Sequence, residues 1–368
     1  MLTAPRTMLL KLLTGTAVAV ALLGGAEGLL RMLLGPPPPP VVVFSGLEPH
    51  EEYFTVEDGM VTARYQSRDP FPPWPAAVEH PRTAVIGGSS VHERSAGVAA
   101  EQQFPALIEA ATGISTLNLG SPALDSHDLT RIVEALLEFQ IDTLVVYTGH
   151  NDFGNTYFNQ RYGNISAGIS ARAQAGMEHL QLFCQLRRVL APLSQAAAAG
   201  PDTVPGKAPM INRTQWWAAL RYLESNLRRI VWMSQQAGVS VLLVTPVSAL
   251  ARPPASQRCP EEGPCSMKLW RSARSVYESD PEAAEALMRK ARDYDPIPMR
   301  APSQAVDAVR RVASEEGVPL IDADRDLPRR GPLSAPADSL FYDHVHFTAE
   351  GHAAMADLIT SALRTEQN

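Results

Sequence analysis

A chain of 368 residues that is 45% hydrophobic can bury one large core and still carry insertions. Its net charge of −7, with Lys and Arg clustered only in short pairs such as Arg228-Arg229, leaves no basic footprint and excludes nucleic acid as a partner. Charged residues make up 19% of the chain and prolines number 31, a balance that implies long irregular connections between regular elements.

Residues 1–11 carry Arg6 and Lys11 without an acid, and residues 12–26 (LLTGTAVAVALLGGA) are apolar or small throughout. This is the order of a secretory n-region and h-region, with Gly24 and Ala26 small enough for a signal peptidase. The helical pattern runs on through GLLRMLL, where Glu27 and Arg31 are spaced to pair at i,i+4. Residues 8–30 reach the roughly 20 residues of a membrane span if Lys11 snorkels to the interface. Residues 1–35 are therefore read as an uncleaved single-pass anchor in the cell membrane, the alternative being a cleaved signal and a secreted protein. Either reading places the rest outside the cytoplasm, periplasmic or extracellular, because the positive residues stay inside. Five prolines at 36–40 make a stiff extended spacer. Residues 36–81 as a whole read as this spacer plus a small β lead-in packed on the main domain.

From Arg82 onward strands and helices alternate. Residues 83–87 (TAVIG) are a short apolar run ending in glycine, 102–111 read as a helix, and 115–120 (STLNLG) as the next strand. Ser126 is expected to cap the helix LTRIVEALLEF. Residues 142–148, 239–245 and 318–322 supply three further strands, with helices over 216–235 and 303–315 and a last helix from Thr348. Strands alternating with helices imply a doubly wound parallel sheet of five strands, an α/β protein built as a three-layer α/β/α, flavodoxin-like sandwich. In such sheets ligands sit beyond the carboxyl ends of the strands.

Two stretches, near 153–214 and 248–300, interrupt the alternation within a main domain spanning 82–368. Both leave from strand ends and are expected to form a lid or substrate wall. In the second, Cys259 and Cys265 close the loop CPEEGPC with no His or further Cys beside them. That pattern points to a disulfide in an oxidising compartment rather than a zinc site. Cys184 lies in an apolar helical stretch and reads as a small buried hydrophobe.

Four short motifs fall at strand ends. In VIGGSSVHE (85–93) a serine in a Gly-rich turn, expected to start a helix, exposes its hydroxyl and aims backbone N–H groups at an incoming oxyanion. The G-x-S-x-G elbow is absent. NLGSPALDS (118–126) brings Gly120, where backbone can approach a ligand. YTGHNDF (147–153) brings Asn151, an amide donor for the same oxyanion. YDHVHFTAEGH (342–352) sets Asp343 and His346 three apart, so the carboxylate reaches one ring nitrogen while the other faces the serine.

In this order the motifs resemble those of the SGNH (GDSL-type) hydrolase superfamily, in the manner of a bacterial membrane-tethered member, over residues 82–365. Gly87-Gly88-Ser89 stand where the family has Gly-Asp-Ser, and Gly120 stands for its block glycine. Gly149-His150-Asn151-Asp152 match its Gly-x-Asn-Asp, and Asp343 with His346 its Asp-x-x-His. Gly88 departs from the name-giving Asp, which is not the triad acid. The resemblance implies Ser89 as nucleophile, His346 as general base and then acid, and Asp343 as the group that orients the imidazole. It implies an oxyanion hole of the Ser89 and Gly120 N–H groups and the Asn151 side chain. Ser90 lies outside the family register, and His344 is one residue from Asp343, poor geometry for a shared hydrogen bond. His150 and Arg300 are candidates for substrate binding, weighed against a structural histidine and a solvated surface arginine. His92, His127 and His352 read as structural, Asp152 as steadying its own turn, and Trp216-Trp217 as packing.

The implied activity is hydrolysis of an ester through an acyl-enzyme. The substrate is a carboxylester or O-acyl group on a small molecule, glycan or lipid, with export favouring the cell envelope. An O-acyltransferase would use the same triad with a different acceptor. The rival class is a non-catalytic envelope binding module, which predicts that the constellation is not assembled. A carbohydrate-binding domain needs an aromatic rim, and aromatics are only 7% of the chain. No set of residues has metal-ligand spacing, so no metal or other cofactor is expected. The sequence carries no signal for an oligomeric state.

Overall fold

The computed structural model describes residues 18, 21–33, 53–65, 72–77, 82–92, 97–158, 180, 182, 185–186, 213–260, 263–328 and 338–366. The chain divides into two units, one made of Met1–Val43, Glu48–His50 and Ile165–Ala208, the other of the remainder. In the first unit residues 21–33 are helical, and Arg31 pairs with Glu27 at 2.6 Å, as the i,i+4 spacing implies. The second Glu27 oxygen accepts the Leu182 amide at 2.7 Å. No helix among the described residues is long and apolar enough to cross a membrane. The anchor reading of residues 8–30 falls partly outside those residues, and the proline run at 36–40, Cys184 and most of the first insertion fall wholly outside them.

The second unit opens with a small antiparallel sheet, β1 (Phe54–Glu57), β2 (Met60–Ala63) and β3 (Trp74–Pro75). It packs on the main domain through Phe54 against Phe139, ring centres 5.5 Å apart, and through Tyr65, whose hydroxyl donates to the Leu119 carbonyl. The main sheet holds β4 (Arg82–Gly87), β5 (Ser115–Gly120), β6 (Thr143–Tyr147), β7 (Ser240–Val244) and β8 (Leu320–Ile321). Every pairing is parallel, in the order β5-β4-β6-β7-β8. The chain steps outward from β4 to β5 and then returns to the other side of β4. That reversal opens a crevice at the carboxyl ends of β4 and β6.

Alternation along the strands sends apolar side chains to both faces. Val85, Val145 and Leu242 lie in register and pack with Phe104 and Ile108 of α1 (Phe104–Thr112), Ala323 of the short α8 (Ala323–Asp326), and Met355, Ile359 and Leu363 of α9 (Ala349–Glu366). Ala84, Ile86, Leu144, Val146 and Leu243 point the other way and are equally buried. On that face lie α2 (Ser126–Leu136), α4 (Arg213–Gln236) and α7 (Ser303–Glu316), with α3 (His150–Phe158) against α4. Two covered faces explain strands that are apolar at every position rather than at alternate ones. This is the expected three-layer α/β/α sandwich.

Local details differ from expectation. The cap of α2 is Asp125, not Ser126: its carboxylate accepts the amides of His127 and Asp128, while Asp128 returns a bond to the Asp125 amide. The Ser126 hydroxyl is instead committed to Asp152, and the Asp125 carboxylate also suits the positive end of the helix dipole. Residues 88–92 form a turn rather than a helix. The second insertion carries α5 (Ser266–Val276) and α6 (Pro281–Asp293), which pack with Leu250 around a small core of Ala273, Ala284 and Met288. The disulfide Cys259–Cys265 closes the loop that leads into α5.

Candidate active site

Ser89 follows β4 by two residues, in a turn closed by the Val91 amide on the Gly88 carbonyl. His346 and Asp343 lie 257 and 254 residues further on, in the loop before α9, and the fold carries both to the carboxyl end of β4. His346 Nε2 is 2.8 Å from Ser89 Oγ, and His346 Nδ1 is 2.7 Å from Asp343 Oδ2. The other Asp343 oxygen accepts the amides of Val345 and His346, both at 2.9 Å, so the acid also shapes the turn that presents the ring. Burial works to raise the Asp343 pKa. The hydrogen bonds from the His346 ring and the two amides outweigh it and hold the carboxyl well below the usual range. An ionised Asp343 at Nδ1 fixes the proton there and leaves Nε2 to accept from the serine.

Asn151, in the first turn of α3, donates its side-chain amide to the Leu124 carbonyl at 2.8 Å. A Cβ at position 88 would collide with that same Asn151 nitrogen. The glycine that replaces the family's Asp is thus the residue that lets Asn151 sit against the nucleophile turn. Gly149 has φ +127, a conformation that favours glycine, and turns the chain from β6 into α3 past Pro246. Gly120 lies against Val91 of the serine turn. Its amide bonds the Asn118 side chain at 3.1 Å, and a Cβ there would strike Val91, so its small size serves packing against the serine turn. The expected third oxyanion donor is already engaged.

His150 and Arg300, the candidates for substrate binding, have different surroundings. His150 borders the cavity beside Ser89, but its Nδ1 accepts the Ala301 amide at 3.0 Å and its Nε2 faces the Tyr147 hydroxyl at 3.4 Å. Burial first, then the nearby charges of His346 and Arg292, push its pKa down to about 3, so the ring is neutral. Arg300 is only 3% exposed and donates to the carbonyls of Ala249 and Arg252, so it is a buried arginine and not a solvated surface one. His344 bonds the Pro253 carbonyl, His92 bonds Gln103, and His352 accepts the Phe104 amide. Asp152 accepts the amide and hydroxyl of Ser126, tying α3 to the start of α2. Trp216 packs on Phe153, while Trp217 is exposed.

Two residues were missed by the motif reading. Asn155 lies one helical turn beyond Asn151 and donates to the Ala123 carbonyl and to Asp125, so spacing along α3 was its available signal. Ala123 has φ +65 in the loop gripped by Asn151 and Asn155. A left-handed alanine costs about 1–2 kcal/mol. Ala123→Gly removes that cost and gives back part of it through the looser unfolded chain. We expect it to stabilise the protein by roughly 0.5–1 kcal/mol in urea unfolding.

The cavity beside Ser89 has a volume of about 20 Å³ and is bordered by Gly88, Leu124, Tyr147, His150, Asn151 and Val345, among others. It has room for one water-sized group. Among the described residues of the second insertion, none borders it.

No curated protein matches this chain. Among solved structures it is similar to an α/β hydrolase enzyme from the metagenome of Lake Arreo, Spain (16% identity, 78% of this chain and 95% of that one, TM-score 0.40). It is also similar to an acetylxylan esterase from Geobacillus stearothermophilus (15%, 78% and 94%, TM-score 0.41) and a GDSL-like lipase from Bacteroides thetaiotaomicron (13%, 79% and 94%, TM-score 0.39). The model of the GDSL-like lipase/acylhydrolase family matches residues 85–354, well over half of the chain and all four motifs. The protein therefore belongs to the GDSL-like lipase/acylhydrolase family and is a hydrolase of ester bonds.

Proposed function

We propose that the protein cleaves its ester through a covalent acyl-enzyme on Ser89. The observation that carries this reading is the unbroken chain Asp343–His346–Ser89, with contacts of 2.7 and 2.8 Å. Ser89 Oγ attacks the ester carbonyl as His346 Nε2 takes its proton, and the imidazolium is held by ionised Asp343. The oxyanion is received by the Ser89 backbone N–H and by the Asn151 side chain, whose second amide hydrogen is not needed for Leu124. Collapse breaks the ester C–O bond, and His346 returns the proton to the departing alkoxide. Water then attacks the acyl-enzyme, again giving its proton to Nε2, and the carboxylic acid leaves as Ser89 is reprotonated.

The substrate class we favour is an O-acylated glycan, lipid or small molecule of the cell envelope, met by a domain held outside the cytoplasmic membrane by residues 1–35. Two features support this placement: Arg6 and Lys11 ahead of the apolar run 12–26, and the disulfide Cys259–Cys265, a bond that persists in oxidising compartments. The test is stopped-flow hydrolysis of p-nitrophenyl acetate by the purified protein, beside labelling with a fluorophosphonate. A burst of p-nitrophenol and a single phosphonyl adduct mapped to Ser89 are expected. A folded protein showing neither turnover nor adduct would overturn the reading.

A further inference from the structure

We propose that Arg300 is a positioning residue for His346, acting through segment 249–253, rather than a substrate ligand. The inference rests on the hydrolytic reading above. The loop 338–347 has almost no regular structure, yet it must hold the His346 imidazole to within about 0.5 Å of its productive position beside Ser89.

What grips this loop from outside is segment 249–253. The Ala249 amide donates to the His344 carbonyl at 3.0 Å, and the Ala251 amide to Asp338 at 3.4 Å. The Arg252 guanidinium donates to the carbonyls of Phe341 and Tyr342, and the His344 ring donates to the Pro253 carbonyl.

That segment is itself irregular, and Arg300 fixes it. One terminal nitrogen of its guanidinium donates to the Ala249 and Arg252 carbonyls, both at 3.1 Å. Asp295, 3.9 Å from Arg300, accepts the next amides along, those of Ala255 and Ser256. The neighbouring Ala301 amide binds His150, the residue before Asn151. Residues 300 and 301 thus join the two sides of the site, one bearing the general base and the other the oxyanion donor. The second insertion acts as a buttress beneath the catalytic loop.

The test compares Arg300→Met and Arg300→Lys with the parent protein. One readout is steady-state kinetics on p-nitrophenyl acetate. The other is the low-field proton resonance of the His346–Asp343 hydrogen bond, assigned by its loss in Asp343→Ala. Arg300→Met is expected to lower kcat ten- to a hundred-fold with KM changed less than three-fold, as expected for misplacement on the scale of an ångström. The resonance should shift or vanish while the protein stays folded by circular dichroism, and Arg300→Lys should recover part of both signals. If Arg300→Met does not fold, Arg252→Gln removes the bonds to Phe341 and Tyr342 from a more exposed position and should move the same two readouts less. Unchanged kcat and resonance in a folded variant would overturn the proposal, as would a rise in KM alone. A parent protein without esterase activity whose resonance still responds to position 300 would sink the hydrolytic reading and leave the positioning role standing.

Discussion

Ser89→Ala and His346→Ala are each expected to lower kcat on an activated ester by at least about 10⁴-fold, and the double variant is expected to fall little further. The reason is the geometry at Ser89. A hydroxyl 2.8 Å from His346 Nε2 is a competent nucleophile only while the imidazole can take its proton, and the imidazole has no work without the hydroxyl. Groups that act as one unit lose their contribution together, so their effects do not multiply. Steady-state rates of the parent, the two single variants and the double variant form the cycle. Losses that multiplied would show that the two residues act in separate steps.

Asn151→Ala is expected to lower kcat by about 10²–10³-fold with little change in KM, because an oxyanion donor acts on charge that develops in the transition state. The same change removes the donor to the Leu124 carbonyl, so a thermal melt should accompany the kinetics. A loss under about ten-fold in a folded variant would mean that backbone amides hold the oxyanion alone. That outcome would bring Gly120 back into consideration, through release of its amide from Asn118.

The difference between Asn151 and Gly120 marks how far motifs reach. Both fall at expected strand ends, but a motif says which residue stands near the site and not what its polar atoms already bind. Gly120 lies in the edge strand β5, where an outward amide needs a partner, and Asn118 two residues earlier supplies it. Arg300 shows the same limit on a larger scale. An arginine between prolines reads as surface loop, and only the packing of the insertion buries it on two carbonyls that it must satisfy. The insertion's role as a buttress was equally hidden, because the bonds from 249–253 to 338–344 join segments some 90 residues apart.

By itself the sequence determined the alternation of apolar strands and helices, and with it the parallel sheet, because strands covered on both faces must be apolar at nearly every position. It also determined the order of the four motifs and the Asp343–His346 pair, whose three-residue spacing is a local matter of one turn. The tertiary structure alone decided the strand order β5-β4-β6-β7-β8 and the meeting of residue 89 with residue 346. It also decided which donors near Ser89 are already engaged. Those outcomes depend on pairings across the whole chain, where each polar group takes the partner that folding brings to it, and no local pattern records that choice.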